Sequence, residues 1–491
     1  MGPREPRLPG PLPAGLDREA LVGEVARALR PLPQGADVIV AVSGGPDSTA
    51  LAYLTAEARP DLASTLAHVR HGLRDDARDV EVVRWHAQAL AAPLHELAVT
   101  VRTGGEGLEA AARDRRYAAL RRLAREVGAG WILVGHTADD QAETVLMRLA
   151  RGTGLTGLGA MAPFHGDLVR PLLRLRRGDV HRFVLHEGLE CVIDPMNRDT
   201  RFRRVRARLE VLPALERLGG DPVGALGRFA DLARDDARFL DDAAAGLLAD
   251  VVVAYGPARA VPAEVVARLE APLARRVVRA LILEVRGGDP PSAAQVEQVL
   301  ALAPGQALEG SGVEVTTGGG WLAVAPAELA VPEAVRLAVP GRVRWAPTGA
   351  DLVASAEGVS LTSQGQVQLA LLLGERWQPP DLPAPPRSLP PGADRRFAQV
   401  ALGGLADDPT ALALDVRPRE PGDRVCVPAG TRKLQDVFVD AGVPRVLRDL
   451  LPVVVAGERV LWVPGVVADA EALAHERPSL HLGLAPTGRP A

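Results

Sequence analysis

The fold of this chain is decided by the stretch Val38-Ile39-Val40-Ala41-Val42-Ser43-Gly44-Gly45-Pro46-Asp47-Ser48. Its first five residues are apolar and mostly β-branched, which predicts a buried strand, and the residues after it predict a helix. A strand, a glycine turn and a helix N-terminus form an anion site, where the glycines let the backbone approach a ligand closely. Ser43 and Ser48 add hydroxyl donors. Because a carboxylate repels phosphate, Asp47 indicates a divalent cation between itself and the phosphates.

This loop differs from the two commonest phosphate-binding patterns, because the sequence G-x-x-x-x-G-K-[ST] is absent and the loop does not read G-x-G-x-x-G. It resembles the S-G-G-x-D-S loop of the PP-loop ATPases, a superfamily that cleaves ATP to AMP and pyrophosphate. A glycine pair alone is more often a simple turn. A full hexapeptide between a strand and a helix favours phosphate binding over that interpretation.

Predicted strands and helices alternate up to residue 150, after a first helix that Asp17 caps and that runs to about Arg30. The alternation predicts an α/β fold with a parallel, doubly wound sheet, whose ligands bind at the carboxyl ends of the strands. The polar motifs fall at those ends, which predicts one shared site. The predicted strands are Val38–Val42, Ser64–Val69, Leu94–Val101 and Trp131–Val134, and the predicted helices are Thr49–Ala58, Ala77–Ala91, Leu108–Val127 and Ala138–Ala150.

Composition limits the class of protein. The chain has 491 residues and a formal net charge of −4, so any nucleic-acid binding must come from local patches. Cys191 and Cys426 form no C-x-x-C motif, which argues against a disulfide scaffold, a zinc site or an iron–sulfur cluster and predicts a cytoplasmic protein. Neither an apolar run of about 18 residues nor a signal peptide is apparent, so no membrane association is expected. The oligomeric state stays open, with a homodimer as one alternative.

Two motifs follow the second and third predicted strands. In H-V-R-H-G-L-R, His71 and Arg74 either face a nucleotide or belong to a solvated loop. On the next helix, Glu109 and Arg113 share one face with either Arg116 or Tyr117. Arginines directed into a cleft suit a phosphate or a carboxylate, although ion pairs on a solvated face would give the same spacing.

A stronger motif, G-H-T-A-D-D-Q-A-E-T, occupies residues 135–144. His136 and Asp140 lie on one helical face with Glu143 or Thr144, and Asp139 and Glu143 are one turn apart. The helix dipole favours acids near a helix start, but this explains one acid rather than three. A cationic ligand, either magnesium or an amine, is the better explanation.

Basic residues stand out in two later places. Residues 194–208 include six arginines and two aspartates, which favours contact with a nucleic-acid backbone over a solvated linker helix. Lys433 is the only lysine of the chain. A bias towards arginine codons explains the excess of arginine but not this one lysine, so contact with an RNA phosphate is favoured over a helix-end charge without consequence.

Together the motifs resemble the tRNA(Ile)-lysidine synthetase family. The sequences S-G-G-P-D-S, H-G-L-R, A-R-x-x-R-Y, H-T-A-D-D-Q-A-E-T, R-G-T-G-L-x-G-L, R-P-L-L and D-P-x-N-x-D-x-x-F-x-R occur in the order of that family, over residues 36–215. The C-terminal G-D-R and K-L-x-D-x-F, which contains Lys433, also match. Sulfur-inserting tRNA enzymes share the first loop but usually carry paired cysteines. Relatives that form GMP or NAD share the loop but lack the acidic helix.

The resemblance implies a domain arrangement. An adenine nucleotide alpha hydrolase-like PP-loop domain is expected over residues 17–217, a small α-rich tRNA-binding domain over 218–330 and a C-terminal α+β domain that binds tRNA over 400–480. Residues 1–16 and 481–491 are expected to be tails, and 331–399 a poorly defined segment with a proline-rich linker. Local patterns predict helices over Ala225–Asp250, Pro262–Val285 and Ser292–Leu302, β-hairpins within Glu309–Val324 and Val453–Val463, and a strand over Leu412–Val416.

The resemblance also implies a reaction. ATP would adenylate the wobble cytosine of the CAU anticodon of an isoleucine tRNA at its ring carbonyl oxygen. The ε-amine of free L-lysine would then displace AMP, giving lysidine and changing codon recognition from AUG to AUA. Two alternatives stay open: another PP-loop tRNA-modifying enzyme such as a 2-thiolation enzyme, and a non-catalytic RNA-binding protein.

Roles for individual residues follow from this reaction. Asp47 would reach pyrophosphate through Mg²⁺, and Arg113 would stabilise charge on the α-phosphate or the base. The acids of the next motif would bind the lysine ammonium groups or magnesium, and the sequence does not assign either ligand to one of them. These acids are Asp139, Asp140 and Glu143. The residues expected to bind ATP are Ser43, Gly44, Gly45, Pro46, Asp47, Ser48, His71 and His136, and those expected to bind tRNA are Arg201, Arg204, Arg208 and Lys433.

Overall fold

The structure is a computed structural model that describes residues 17–70, 76–100, 108–193, 201–288, 290–347, 350–355, 397–400, 412–471 and 480–485. It divides into two compact units, residues 1–239 and 240–491. No helix among the described residues is both long and apolar enough to cross a membrane.

The first unit is built on a six-stranded sheet with the strand order β3-β2-β1-β4-β6-β5. The first five strands in this order are parallel, and β5 is an antiparallel edge strand. The order reverses between β1 and β4, and in such sheets ligands bind at the carboxyl ends of the strands at this switch point. The strands are β1 (Asp37–Ala41), β2 (Ala63–Arg70), β3 (Leu94–Ala98), β4 (Trp131–Leu133), β5 (Phe164–His165) and β6 (Leu168–Val169).

The helices of this unit cover both faces of the sheet. Val38 and Ile39 on β1 belong to two different buried clusters, because neighbouring side chains of a strand point to opposite faces. The helices are α1 (Arg18–Leu29), α2 (Pro46–Ala58), α3 (Ala77–Ala89), α4 (Leu108–Val127), α5 (Ala138–Leu149), α6 (Leu155–Leu158), α7 (Arg177–His186), α8 (Arg203–Arg206), α9 (Leu212–Leu218) and α10 (Pro222–Val251), which continues past residue 239 into the second unit; a π-helical turn over Ala207–Val211 lies between α8 and α9.

The predicted alternation of strands and helices is confirmed up to residue 150. Asp17 caps α1, since its Oδ1 accepts a hydrogen bond of 3.0 Å from the Ala20 amide. One boundary differs in a way that matters for the site. The helix after β1 begins at Pro46 rather than Thr49, because Gly45 is its N-cap and proline is favoured in the first helical turn. Asp47 therefore lies in the first turn of α2.

The second unit begins with a sheet of strand order β7-β8-β11-β10-β9. The predicted hairpin is present as β10 and β11, and three strands that the sequence did not predict join it beside the helices of this region. The predicted helix over Pro262–Val285 is instead two helices, the second of which has a proline in its first turn. The elements are β7 (Val253–Tyr255), β8 (Ala258–Pro262), α11 (Ala263–Arg268), α12 (Ala271–Arg286), α13 (Ala293–Leu300), β9 (Ala307–Gly310), β10 (Val313–Gly318) and β11 (Trp321–Pro326).

The rest of the second unit is mainly β-structure. Strands from residues 331–399, where the sequence predicted no elements, pair with C-terminal strands in the sheets β12-β16-β19-β20-β21 and β13-β14-β22-β15. The predicted proline-rich linker lies outside the described residues. The elements are β12 (Val335–Leu337), β13 (Gly341–Trp345), β14 (Ala350–Ser355), β15 (Phe397–Val400), β16 (Leu414–Arg417), β17 (Arg424–Val427), β18 (Gly430–Lys433), α14 (Leu434–Asp440), β19 (Val453–Ala456), β20 (Arg459–Val463), β21 (Val467–Ala468) and β22 (Leu480–Ala485).

Candidate active site

The turn between β1 and α2 is held by its two serines. The Ser48 hydroxyl accepts a hydrogen bond of 3.0 Å from the Ser43 amide and donates one of 3.0 Å to the Gly45 carbonyl. The two hydroxyl oxygens are also 3.0 Å apart. Gly44 has φ of +83°, a conformation that favours glycine. The turn is thus preformed, with Gly45 as the N-cap of α2 and the helix N-terminus available to an anion.

A second loop, after β4, touches this turn. A Cβ atom on Gly135 would lie 3.0 Å from the carbonyl oxygen of Asp47 and 3.3 Å from the amide nitrogen of Ser48. Only glycine lets the two backbones approach this closely without displacement. The phosphate-binding turn and the start of α5 therefore meet at the switch point of the sheet, as the order of the motifs predicted.

Asp47 has two basic neighbours from α7. His181 Nε2 lies 2.9 Å from one carboxylate oxygen, and Arg177 Nε lies 3.7 Å from the other. The Asp47 side chain keeps 29% of its exposure. It is therefore accessible at the mouth of the turn while α7 orients it.

The acids of α5 are bound by arginines. The side chain of Glu143 is 0% exposed and accepts hydrogen bonds from Arg177 Nη1 at 2.9 Å, Arg204 Nε at 2.7 Å and Arg208 Nε at 2.7 Å. Asp140 Oδ1 accepts bonds from Arg177 Nη2 at 2.6 Å and Arg204 Nη2 at 2.9 Å. We call this set, Asp140, Glu143, Arg177, Arg204 and Arg208, the arginine–carboxylate network. The arginines of this network supply the positive charge next to two of the three acids, where the sequence predicted a cationic ligand.

The remaining contacts of the acids are structural. Asp140 Oδ2 accepts bonds from the Thr137 amide at 2.8 Å and the Thr137 hydroxyl at 2.9 Å, which forms a capping box. Asp139 Oδ2 accepts a bond of 2.7 Å from the backbone amide of Arg177 and lies 3.6 Å from Arg176 Nε. Capping thus accounts for one acid, as expected from the sequence, and Asp139 links the starts of α5 and α7.

The network keeps its acids ionised. Burial opposes ionisation of Asp140, but Arg177 and Arg204 outweigh it and hold the pKa of this carboxyl below its usual range. Burial likewise opposes ionisation of Glu143, and its hydrogen bond from Arg208 together with the charge of Arg177 holds its pKa below the usual value. Burial opposes the charge of Arg177, but Asp140, Glu143 and Asp47 raise its pKa. Asp140, Glu143 and Arg177 are therefore charged at neutral pH.

His136 and Arg113 stand beside the network. Burial, together with the charges of Arg113, Arg204 and Arg170, lowers the pKa of His136 to about 3 against the opposing charge of Asp140. The ring is therefore neutral at pH 7, and its buried Nδ1 has no hydrogen-bond partner among the described residues. The guanidinium carbon of Arg113 lies 5.1 Å from the centre of the Tyr117 ring. Both side chains remain candidates for contact with the nucleotide.

The other predicted site residues are placed as follows. Pro46 starts α2 and directs Asp47 into its first turn. Arg201 is exposed and precedes α8, whereas Arg204 and Arg208 belong to the network rather than to a free basic surface. Their contact with tRNA stays a prediction. His71 lies outside the described residues. The exposed Lys433 is the N-cap residue of α14 in the second unit.

Arg177 and His181 were not identified from the sequence, although they contact Asp47 directly. Their helix follows the R-P-L-L motif and contains no pattern typical of a nucleotide site. The available signal was indirect: three acids on α5 required cations, and Arg176 and Arg177 form a basic pair shortly after the R-P-L-L motif.

The residues present fit a magnesium ion shared with substrate. Mg²⁺ is usually held by one or two carboxylates together with substrate phosphates and water, and Asp47 presents one such accessible carboxylate beside the turn. Among the described residues, three metal-type ligand atoms come within 4.8 Å of one another at Cys426, Asp469 and Glu471 in the second unit. Arg459 forms ion pairs of 3.0 Å and 3.5 Å with those two carboxylates.

The fold, the turn after β1 and the acidic start of α5 define an ATP-binding protein of the PP-loop class. The model of the PP-loop domain family matches residues 19–215, and the model of the TilS substrate C-terminal domain matches residues 414–482. The chain belongs to the tRNA(Ile)-lysidine synthase family, which confirms the resemblance found in the sequence.

Relatives with this name match most of the chain. The tRNA(Ile)-lysidine synthase of Symbiobacterium thermophilum is 38% identical over 89% of this chain and 91% of its own length. The one of Thermobifida fusca is 43% identical over 60% of this chain and 89% of its own length. Among solved structures, the chain is similar to the U34-tRNA thiolase NcsA from Methanococcus maripaludis, with a TM-score of 0.38 and 18% identity over 44% of this chain and 81% of that one.

Proposed function

We propose that this chain joins free L-lysine to the wobble cytidine of the CAU anticodon of tRNA(Ile), with cleavage of ATP to AMP and pyrophosphate. The observation that carries the proposal is the juxtaposition of the preformed turn and the ionised acids of α5 at one switch point. One side of this site suits pyrophosphate and the other suits an amine. Family membership supports a ligase with tRNA as its substrate.

In the first step, the ring carbonyl oxygen of the cytosine attacks the α-phosphorus of ATP, and pyrophosphate leaves. The α2 N-terminus and the Ser43 and Ser48 hydroxyls bind the departing phosphates. Arg113 lies beside His136 and stabilises charge on the α-phosphate. Asp47 would hold Mg²⁺, which supplies neutralisation of phosphate charge when it is bound.

In the second step, the ε-amine of lysine attacks the activated ring carbon, and AMP leaves. The amine must lose a proton before it attacks, and a carboxylate of α5 accepts it. Because Glu143 has three guanidinium partners, an ammonium group binds there only by replacing some of these contacts. We therefore assign the lysine site to Asp139, Asp140 and Glu143, with exchange against Arg204 and Arg208.

The test measures pyrophosphate release from ATP and incorporation of labelled lysine, with a CAU isoleucine tRNA transcript and Mg²⁺. We expect release that depends on tRNA and lysine that enters the RNA. Release without lysine incorporation would contradict the proposed nucleophile and direct attention to sulfur transfer. Omission of Mg²⁺, with chelator present, is expected to abolish release.

The variant Asp47→Asn tests the assignment of the turn. We expect it to reduce pyrophosphate release at least 100-fold, because it removes the carboxylate that would hold Mg²⁺ and one such charge-stabilising contact at the phosphates is worth about that much, while tRNA affinity persists. The matched control is Asp61→Asn, since Asp61 belongs to the same unit but pairs with Arg59, away from the turn. Normal turnover by Asp47→Asn would contradict the assignment.

The cellular location and the oligomeric state belong to the same proposal. A substrate that is a tRNA places the enzyme in the cytoplasm, and a homodimer is compatible with it. The 2-thiolation alternative is not favoured, because Cys191 and Cys426 are in different units and the relatives of this chain bear the lysidine synthase name.

A further inference from the structure

A second group of arginines in the first unit has no acidic partner among the side chains that the structure describes. Arg113, Arg116, Arg148 and Arg170 have no carboxylate within ion-pair distance among the described residues, unlike the three arginines of the arginine–carboxylate network. The exposed Arg151 joins them at the end of α5. We call these five residues the unpaired arginine row.

Aromatic and carbonyl groups hold the row in place. These groups carry no net charge, so they do not neutralise the guanidinium groups. The guanidinium carbons of Arg113 and Arg116 lie 5.1 Å and 5.5 Å from the centre of the Tyr117 ring. Arg148 Nη1 donates a hydrogen bond of 2.7 Å to the Gly157 carbonyl, and Arg170 Nη1 donates one of 2.7 Å to the Ala162 carbonyl. The Nε of the buried Arg170 has no partner among the described residues.

The members of the row are close enough to repel one another. Burial and then the charges of Arg113 and Arg151 lower the pKa of Arg148. Burial also lowers the pKa of Arg116 and Arg170, with Arg113 adding to both effects. Like charges that a fold keeps together without acids are a ready site for a polyanion.

The length of the row indicates which polyanion fits. Arg148 is ten residues along α5 from Ala138, where the helix meets the phosphate-binding turn, or about 15 Å at the rise of an α-helix, and Arg113 acts on both His136 and Arg148. The phosphates of one ATP at the α2 N-terminus reach only the near end. A nucleic-acid strand carries a phosphate on every nucleotide and can span the whole row.

We propose that Arg116, Arg148 and Arg151 bind backbone phosphates of the RNA strand next to the base that is modified, with Arg170 supporting them from beneath. This inference rests on the proposed function, and it places the RNA track along α4 and α5. It differs from the sequence-based expectation, which placed RNA contacts on Arg201, Arg204 and Arg208.

The test measures the affinity of the full chain for an anticodon stem–loop RNA at several salt concentrations. For Arg148→Gln and Arg151→Gln, we expect affinity to fall about five- to tenfold each and the slope of log affinity against log salt to shrink by about 0.7 to 1. Arg148→Lys, which keeps the charge, retains the slope. ATP affinity, measured without RNA, stays at the wild-type value in all three.

The matched control is Arg122→Gln, because Arg122 is on α4 but pairs with Glu126. We expect it to leave the slope unchanged. An unchanged slope in Arg148→Gln and Arg151→Gln would overturn the inference, as would a loss of ATP affinity with RNA binding intact, which would make the nucleotide the ligand. A wild-type chain that binds the RNA but incorporates no lysine would contradict the proposed function alone. Reduced slopes in the variants would still support the row as the RNA track.

Discussion

Glu143 receives hydrogen bonds from three guanidinium groups while its side chain is completely shielded from water. A buried charge is tolerated only when it is paired and hydrogen-bonded, and removal of one partner leaves the others without compensation. The same carboxylate therefore holds α7 and α8 against α5. The Glu143 carboxylate thus stabilises the fold and also belongs to the proposed lysine site.

We expect Glu143→Gln to lower the free energy of unfolding of the first unit by about 3 kcal/mol, since it leaves buried guanidinium charge unpaired. Calorimetry of wild type and variant measures this. Glu126→Gln is the matched control, because Glu126 forms an exposed pair with Arg122 and should cost less than about 0.5 kcal/mol. Equal effects of the two changes would show that the network does not stabilise the fold.

His136 makes stability depend on pH. Its pKa of about 3 in the folded state is below the ordinary value, so between these values the unfolded chain binds the extra proton. The stabilisation is complete above about pH 6.5 and is lost as pH falls towards 3. From pH 7 to pH 5 this residue should cost the first unit about 2 kcal/mol of unfolding free energy.

The check compares unfolding at pH 7 and pH 5 in wild type, His136→Gln and His95→Gln. We expect His136→Gln to lose less stability on acidification than wild type. The exposed His95 serves as the matched position and should leave the wild-type dependence intact. Identical pH dependence in all three chains would refute the role of His136.

At the scale of elements, the site depends on two loops in backbone contact at the switch point. Gly135→Ala would place a methyl group 3.0 Å from the Asp47 carbonyl and shift the phosphate-binding turn. We expect ATP affinity to fall about tenfold, because small displacements of a positioned group are costly. Gly130→Ala, at the start of the same strand, meets nothing within 4 Å and should bind ATP normally. Equal ATP affinities would contradict this.

The sheet and the turn were predictable because both depend on local pattern. A β-branched run followed by S-G-G-P-D-S fixes a strand, a turn and a helix start within one stretch. The partners of the acids were not predictable, since Arg177 and Arg204 are 37 and 64 residues from Asp140. A cluster of acids predicts that its partner is positively charged. Which residue provides that positive charge is decided only by tertiary packing.

The same distinction explains the second unit. Local alternation predicted the β10–β11 hairpin, whereas β8, β12 and β15 are short and pair with β11, β16 and β22, which lie far along the chain. For example, Arg336 on β12 is in register with Asp415 on β16. Short strands acquire their stability from such distant neighbours, so their own residues carry little signal.

At the scale of the molecule, each unit has its own hydrophobic clusters. We expect calorimetry to resolve more than one unfolding transition. A non-hydrolysable ATP analogue at 100 times its dissociation constant should stabilise the first unit alone, by about 2.7 kcal/mol. A single transition that the analogue shifts as a whole would show instead that the two units unfold together.

The π-helical turn over Ala207–Val211 has a consequence for how this sequence can change. Residues eight apart on a regular α-helix, such as Arg204 and Leu212, differ in direction by about 80°. The additional residue of the π turn reduces that angle, so that Arg204 reaches Glu143 on α5 while Leu212 packs against Ala138 and Ala142 of the same helix. Loss of one codon here, other than that of Arg208, would keep every side chain of the network yet put the two contacts out of phase. The helix is thus sensitive to its length as well as to its composition.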